Sequence, residues 1–178
     1  MDIDKRSIDK ESLQRALALY RTGEINRMEV GTVRGLCQIH KYLFDGLYDF
    51  AGQIRRQNIS KGGLRFSNHL FMDAILPVID KMPESTFEDI ISKYVEMHIA
   101  HPFIEGNDRA LRLWLDQILK KNLGKAIDWQ TLDRDFYFQA MERSPINDLE
   151  LRSLLMPALT KKSENKGRGV LFRGDELD

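Results

Sequence analysis

Two helical segments separated by a short break dominate the middle of this chain of 178 residues. Residues 85–89 read Ser-Thr-Phe-Glu-Asp, a capping-box pattern that predicts a helix over residues 87–100. A second helix is predicted from Asp108, because apolar residues recur at helical spacing and Gly124 is placed to end it. Pro102 ends the first helix near His101. One short polar loop, between about residues 101 and 107, therefore connects the two predicted helices.

The start of the second helix is predicted to bind an anion. Asn107 occupies the expected N-cap position, and the backbone N–H groups that follow lack helical partners and carry a partial positive charge. Gly106 has no Cβ to obstruct the close approach of a ligand. Arg109 and Arg112 share one face of the first turn, where their guanidinium groups can bind successive phosphates.

Two further side chains of the loop supply groups for chemistry on a phosphate. His101 is able to accept a proton near neutral pH, and Glu105 is suited to Mg²⁺, which prefers few carboxylates plus phosphate oxygens. His98, His101 and Glu105 also invite a transition-metal site, but the two histidines lack the usual helical spacing for zinc. We interpret the loop as a magnesium-nucleotide site with a base aimed at an incoming hydroxyl.

The same segment resembles the signature of the Fic family, H-x-F-x-[DE]-G-N-[GK]-R-x-x-R. Asp108 stands where the family has Gly or Lys, and residues 43–52 followed by Arg55 resemble the family's upstream signature. The resemblance extends over about residues 9–160 and is to small single-domain bacterial members. Seven constrained positions match, namely His101, Phe103, Glu105, Gly106, Asn107, Arg109 and Arg112.

This resemblance implies a protein adenylyltransferase. Such an enzyme moves AMP from ATP to a Ser, Thr or Tyr hydroxyl of a target protein, the enzyme itself included, with ATP as co-substrate and Mg²⁺ as cofactor. It implies His101 as the catalytic base and Glu105 as the metal ligand. The implied nucleotide-binding residues are Phe103, Gly106, Asn107 at the α-phosphate, Asp108, and Arg109 and Arg112 at the β- and γ-phosphates. By itself, Phe103 is most simply a core residue that anchors the loop.

Asp108 leaves the activity open. A carboxylate in the first turn of a helix is favourable for folding by about 0.3 to 1 kcal/mol. Near a bound triphosphate it would cause repulsion of a few kcal/mol before screening, at ~4–6 Å and an effective dielectric of ~20. If Asp108 faces solvent or a metal, the cost is small. The alternatives are a phosphotransferase or other nucleotidyl transferase, or a catalytically weakened Fic-fold binding module.

Residues 58–66 resemble the family's flap, a short hairpin beside the active-site loop. Gly62-Gly63 is a hairpin turn signal, flanked by Ile59 on one side and by Leu64 and Phe66 on the other. We expect residues 61–64, Lys61, Gly62, Gly63 and Leu64, to dock an extended segment of the target by strand addition.

The carboxyl-terminal tail bears on regulation. Many Fic proteins carry an inhibitory helix with the pattern [ST]-x-x-x-E-[GN], whose Glu pairs with the arginine equivalent to Arg112. Thr160 and Glu164 fit this pattern, but Thr160 directly follows the last expected core helix and Gly167 disfavours a helix. We expect a Fic domain over residues 1–160 and a tail over 161–178 in which the inhibitory helix is absent or incomplete. A role for Thr160 and Glu164 in an unusual position stays open.

The expected fold class is all-α, a Fic-type helical bundle with one small β-hairpin flap. Further helices are predicted near residues 10–22, 32–44, 69–82, 133–143 and 148–159, with Pro77 expected to kink the third of these or to start a new turn in it.

Charge and cysteine content limit the setting. The formal net charge is zero, from 27 basic and 27 acidic residues, so no overall field favours nucleic acid or a membrane. A protein partner is the better expectation, and self-association stays open. The single cysteine, Cys37, excludes a disulfide within the chain, and the polar amino terminus does not form a signal peptide. We expect a cytoplasmic protein, with leaderless delivery to another cell left open.

Overall fold

A computed structural model of the chain describes residues 4–161 and residue 172. Within this part the chain is mostly helical, as the sequence predicts. The α-helices are α1 Lys5–Arg21, α2 Val33–Phe44, α3 Met72–Asp80, α4 Phe87–Ala100, α5 Asn107–Leu123, α6 Arg134–Arg143 and α7 Leu149–Leu155. The strands are β1 Ser60–Lys61, β2 Leu64–Arg65, β3 Lys125–Ile127 and β4 Leu159–Lys161.

Helix α5 is the centre of the fold. It packs against α4 on one side and α2 on another, and every residue from Ala110 to Leu119 is buried. A helix buried on all sides is a core element rather than a surface one. Its buried residues include the polar Arg112, Asp116 and Gln117, so this helix carries charge into the interior. In the described part of the chain, no helix is long and apolar enough to cross a membrane.

Several predicted boundaries are confirmed. Thr86 caps α4 and forms a capping box with Asp89, and Gly124 ends α5 in the left-handed conformation. The flap is an antiparallel hairpin of β1 and β2, with Gly62 and Gly63 at φ of 57° and 83° in its turn. Positive φ at both turn positions is the geometry that favours a Gly-Gly pair.

Other boundaries are wrong. Helix α1 begins earlier than predicted, capped by Asp4, and the predicted helix over 69–82 is a 3-10 turn at His69–Phe71 followed by α3, with Pro77 inside α3. Helix α7 ends at Leu155 because Pro157 follows closely, and a 3-10 turn then leads into β4. Strand β4 pairs antiparallel with β3, a second small sheet that the sequence did not reveal.

Candidate active site

The loop between α4 and α5 begins at His101, which has a left-handed backbone conformation with φ of 48°. This conformation is uncommon outside glycine and places the imidazole against the end of α4. The His101 Nδ1 lies 3.1 Å from the His98 carbonyl oxygen, so Nδ1–H donates to it. The proton on Nδ1 leaves Nε2 as the acceptor nitrogen of a neutral ring.

The His101 imidazole is shielded from water. The side chain is only 5% exposed, and the ring of Phe66 stacks on it with centroids 3.7 Å apart. Burial lowers the pKa of His101 to about 4, although the carboxylate of Asp108 acts in the opposite direction. A lowered pKa keeps His101 neutral, and therefore able to accept a proton, throughout the neutral range.

Arg55 hydrogen-bonds to the main chain of the loop and of the residues next to it. It is 3% exposed, and its backbone N–H donates to the Pro102 carbonyl at 2.8 Å. Its guanidinium fork fixes both the end of α4 and the start of the loop. The side chain donates to the main-chain carbonyls of Gln57, Ser67, Ala100 and His101.

His40 anchors the other end of the loop. The Gly52 N–H donates to its Nδ1 at 2.9 Å, so Nε2–H is the donor to the Glu105 carbonyl oxygen at 2.8 Å. The Phe103 ring stacks on His40 with centroids 3.8 Å apart, and both side chains are fully buried. Burial lowers the pKa of His40 to about 4. Phe103 is therefore a core anchor and does not line the cavities described below, and its contact with a nucleotide stays a prediction.

Gly106 has no room for a side chain. Its φ is 81°, and a Cβ there would lie 2.4 Å from a ring carbon of Phe44 and 3.1 Å from Nε2 of His40. The absence of a Cβ lets the loop approach α2 closely.

Asn107 is the first residue of α5 and not its N-cap, which corrects the sequence prediction; Gly106 is the N-cap. The Asn107 side chain instead bonds the Phe103 backbone twice, accepting from its N–H at 3.0 Å and donating to its carbonyl at 2.7 Å. Gly106 supplies no capping side chain. The amino end of α5 therefore keeps its capacity to bind an anion.

Two adjoining cavities lie beside this loop. The larger has a volume of about 810 Å³ and is lined by Glu105, Gly106, Asp108, Arg109 and Arg112. The smaller, of about 140 Å³, is lined by His101 and Asn107 and shares Glu105 and Asp108 with the larger. Apart from Phe103, the structure thus brings the predicted loop residues together around two cavities that share lining residues.

Arg109 is bound to the first helix of the chain. One terminal nitrogen donates to the Ser12 hydroxyl at 2.6 Å and to the Asp9 carboxylate at 3.1 Å. The residues Asp9 and Ser12 belong to α1 and also line the larger cavity. Arg109 is consequently held at the wall of the cavity and not in open solvent.

Asp108 faces the flap. Its carboxylate lies 3.3 Å from the Lys61 ammonium, with the Lys61 side chain 69% exposed and that of Asp108 31% exposed. Burial raises the pKa of Asp108, but Lys61, His101 and Arg112 outweigh it, so the pKa falls below its usual value. Asp108 therefore stays ionised, and its charge is shared with a flap lysine.

Glu105 fits a magnesium ligand that acts together with a nucleotide. Its exposed side chain stands at both cavities, near the arginines expected to bind phosphate. Among the described residues, no cluster of three or more His, Cys, Asp or Glu side chains could hold a metal ion. His98, His101 and Glu105 therefore do not form the transition-metal site considered from sequence. A single carboxylate is consistent with Mg²⁺ because phosphates and water supply its remaining ligands.

The flap residues differ in their distance from the loop, and Thr160 is the one described residue of the predicted inhibitory pair. Lys61 reaches the cavities, whereas Gly62, Gly63 and Leu64 form the flap turn and the start of β2. Thr160 lies in strand β4, paired with Ala126, and is not helical. Glu164 lies outside the described residues.

The contribution of four residues to the site was missed from sequence: Phe66, His40, Asp9 and Ser12. Each acts through a partner far along the chain. The local signal for Phe66 was its position at the end of the flap, and that for His40 was its place on the inward face of α2.

The helical fold, with a polar loop and a cavity at the start of its central helix, is the arrangement that the sequence predicted for a Fic-type domain. Comparison with known proteins supports the same class. A sequence model of the Fic/DOC family matches residues 31–119, half of the chain. The chain belongs to the Fic/DOC family.

Two relatives match most of this chain. The chain is 28% identical over 149 residues to a protein of Salmonella typhimurium named "Probable protein adenylyltransferase Fic", covering 75% of this chain and 74% of the relative. It is 29% identical over 167 residues to "Protein adenylyltransferase VbhT" of Bartonella schoenbuchensis, covering 86% of this chain but 34% of VbhT. The chain thus corresponds to about a third of VbhT.

Solved structures show the same fold. BepC from Bartonella tribocorum, crystallised with bound AMPPNP, has a TM-score of 0.73 and 16% identity, with 89% of each chain covered. The amino-terminal Fic domain of a Bep effector protein from Bartonella quintana, with bound ADP, has a TM-score of 0.71 and 16% identity, covering 89% of this chain and 86% of that one. At this identity the likeness establishes the fold.

Proposed function

We propose that this chain is a protein adenylyltransferase that moves AMP from ATP to a Ser, Thr or Tyr hydroxyl of a protein, with itself as one candidate target. The observation that carries the proposal is the position of His101, a neutral imidazole with Nε2 as acceptor, beside a cavity that contains Arg109 and Arg112. The relatives named protein adenylyltransferase and the nucleotide-bound Fic structures support it.

The proposed reaction uses the loop as follows. The target hydroxyl oxygen attacks the α-phosphorus while its proton passes to Nε2 of His101. The bond from the α-phosphorus to the bridging oxygen breaks, and pyrophosphate leaves. The amino end of α5, beginning with the Asn107 N–H, stabilises charge on the α-phosphate, and Arg109 and Arg112 bind the other phosphates. Mg²⁺, held by Glu105 and phosphate oxygens, would neutralise phosphate charge.

The flap is proposed to dock the target. In the described part of the chain, β1 and β2 pair only with each other, and Lys61 and Gly62 are exposed. An extended peptide can add to such an edge through main-chain hydrogen bonds. That arrangement would bring a hydroxyl towards His101, because the flap also carries Phe66, which stacks on the His101 ring.

Asp108 supports a second candidate. Its carboxylate remains ionised and lines both cavities, so it brings negative charge to the space proposed for the triphosphate. Such a charge would favour a different phosphate position, as in a phosphotransferase, or weaken nucleotide binding so that only protein binding remains. The pairing with Lys61 reduces this effect, which is why we favour adenylyl transfer.

Labelled ATP distinguishes these reactions. The purified chain is incubated with Mg²⁺, a bacterial lysate and ATP labelled at either the α- or the γ-phosphate, with His101→Ala as the matched control. We expect α-label on protein, including this chain if it modifies itself, and none with His101→Ala. Transfer of γ-label instead supports a phosphotransferase. If neither label is transferred, the chain is a binding module.

A further inference from the structure

The guanidinium of Arg112 packs against two aromatic rings that also contact each other. Its central carbon is 4.4 Å from the centroid of Phe172 and 5.7 Å from that of Trp129, a pair that we call the aromatic bracket. Arg112 is 4% exposed. Among the described residues no carboxylate forms a salt bridge with it, and its Nε has no hydrogen-bond partner. Among the described residues, the two rings are therefore the side chains in direct contact with the guanidinium, and Asp108 interacts with it through charge.

The aromatic bracket is rigidly supported. The Trp129 indole N–H donates to the Asp116 carboxylate at 3.0 Å, and Asp116 lies one turn after Arg112 on α5. Trp129 meets Phe172 edge to face with centroids 5.6 Å apart, and Tyr137 meets Phe172 at 5.3 Å. Phe172 is 2% exposed, so its ring is enclosed and not lying on the surface.

We propose that Phe172 is a positioning residue that holds Arg112 towards the phosphates of the bound nucleotide. This inference rests on the proposed function. A ring that contacts a guanidinium through a cation–π interaction accepts no N–H hydrogen bond, so the N–H groups stay available for a contact with an anion. Arg112 lines the larger cavity, where the proposed β- and γ-phosphates would lie. Phe172, sixty residues after Arg112 in the sequence, would thus complete the site.

Nucleotide binding tests this role without requiring a target protein. Affinities for ATP and AMP are measured by calorimetry with Mg²⁺ in a His101→Ala background, so that ATP is not consumed. Phe172→Leu keeps apolar bulk and removes the ring, and we expect it to weaken ATP binding about tenfold. AMP lacks the phosphates assigned to Arg112, so its affinity should be unchanged. Phe172→Tyr keeps an aromatic ring, so it should bind ATP with the affinity of the parent.

The controls separate this inference from the proposed function. Phe136→Leu makes the same change at an exposed ring on α6 and should alter neither affinity. Arg112→Ala should weaken ATP binding at least as much as Phe172→Leu. If Arg112→Ala has no effect, the phosphate role of Arg112 fails, and the inference fails with it.

The remaining outcomes bear on Phe172 alone. If Arg112→Ala weakens ATP binding and Phe172→Leu does not, the positioning role is overturned while the proposed function stands. If Phe172→Leu weakens ATP and AMP binding equally, Phe172 has a general packing role and the inference is overturned. If Phe172→Leu tightens ATP binding, the Phe172 ring obstructs the nucleotide, and the inference is likewise overturned. Thermal unfolding of each variant establishes that affinities are compared on folded protein.

Discussion

The ring of Phe66 lies nearly parallel to the imidazole of His101, with an angle of 8° between the two planes. Phe66 directly follows strand β2 of the flap. The flap therefore covers one face of the proposed base. Because burial is the largest cause of the lowered pKa of His101, the flap influences the proton affinity of that base.

Removal of this cover should raise the pKa of His101. In Phe66→Ala, water reaches the imidazole and stabilises its charged form, so we expect the pKa to move from about 4 towards the ordinary value near 6.5. NMR titration of the His101 ring protons measures the shift. Phe71→Ala removes an exposed ring five residues further along the chain and serves as the control. An unchanged titration in Phe66→Ala would show that Phe66 does not shield the base.

Gly106→Ala should destabilise the domain strongly. The new Cβ would meet a Phe44 ring carbon at 2.4 Å, in addition to the strain of a positive φ. Gly124→Ala is a matched control, because its φ is 62° but a Cβ there meets nothing within 4 Å. Chemical denaturation should show a loss for Gly106→Ala that is about 1–3 kcal/mol larger than for Gly124→Ala. Equal losses would contradict the close packing of the loop on α2.

Arg55→Met should loosen the motif loop. The change leaves four main-chain carbonyls without their charged donor, and the free energy of unfolding should fall by about 3 kcal/mol. The neighbouring Arg56 is exposed, so Arg56→Met should stay within about 0.5 kcal/mol of the parent. Urea denaturation of both variants makes the comparison. Similar stabilities would mean that Arg55 does not hold the loop.

Asp108→Asn should tighten nucleotide binding. The ionised carboxylate shares the larger cavity with the proposed triphosphate, and its removal relieves like-charge repulsion. We expect an increase in ATP affinity of about tenfold at low salt that shrinks as ionic strength rises. Asp73→Asn removes an exposed acid from the first turn of α3 and should have no effect. Weaker ATP binding in Asp108→Asn would instead indicate that Asp108 helps to hold the metal.

Stability should decline in mild acid. His40 and His101 are both buried with pKa values lowered to about 4, so between pH 6.5 and 4 the unfolded chain binds protons that the folded chain excludes. The contribution of each histidine, up to about 3 kcal/mol, is therefore lost as the pH falls through this window. Asp116 acts in the opposite direction, because burial raises its pKa to about 7, so it offsets part of the loss. Urea denaturation at pH 7.5, 6 and 5 measures the slope. The slope should be shallower in His40→Asn, and an unchanged slope would exclude a contribution from His40.

The ends of a helix were predictable where the capping residues lie within a few positions of each other in the sequence. Thr86 and Asp89 cap α4 within three residues of each other, and Gly124 ends α5 where it stands. The Asn107 N-cap was wrong because a side chain that caps a helix in isolation can find a better partner, here the Phe103 backbone. Strand β4 was missed because its partner β3 lies more than thirty residues away.

By itself, the sequence determined the helical class, the family and the residues of the motif loop, because these depend on spacing within one turn or one short signature. Tertiary structure alone decided what those residues contact. Arg109 meets Asp9 across 100 residues, His40 supports Glu105 across 65, and Phe172 returns from the tail to Arg112. Such pairs arise when helices pack and exclude water, and no local periodicity encodes which distant side chain will fill the space beside a buried charge.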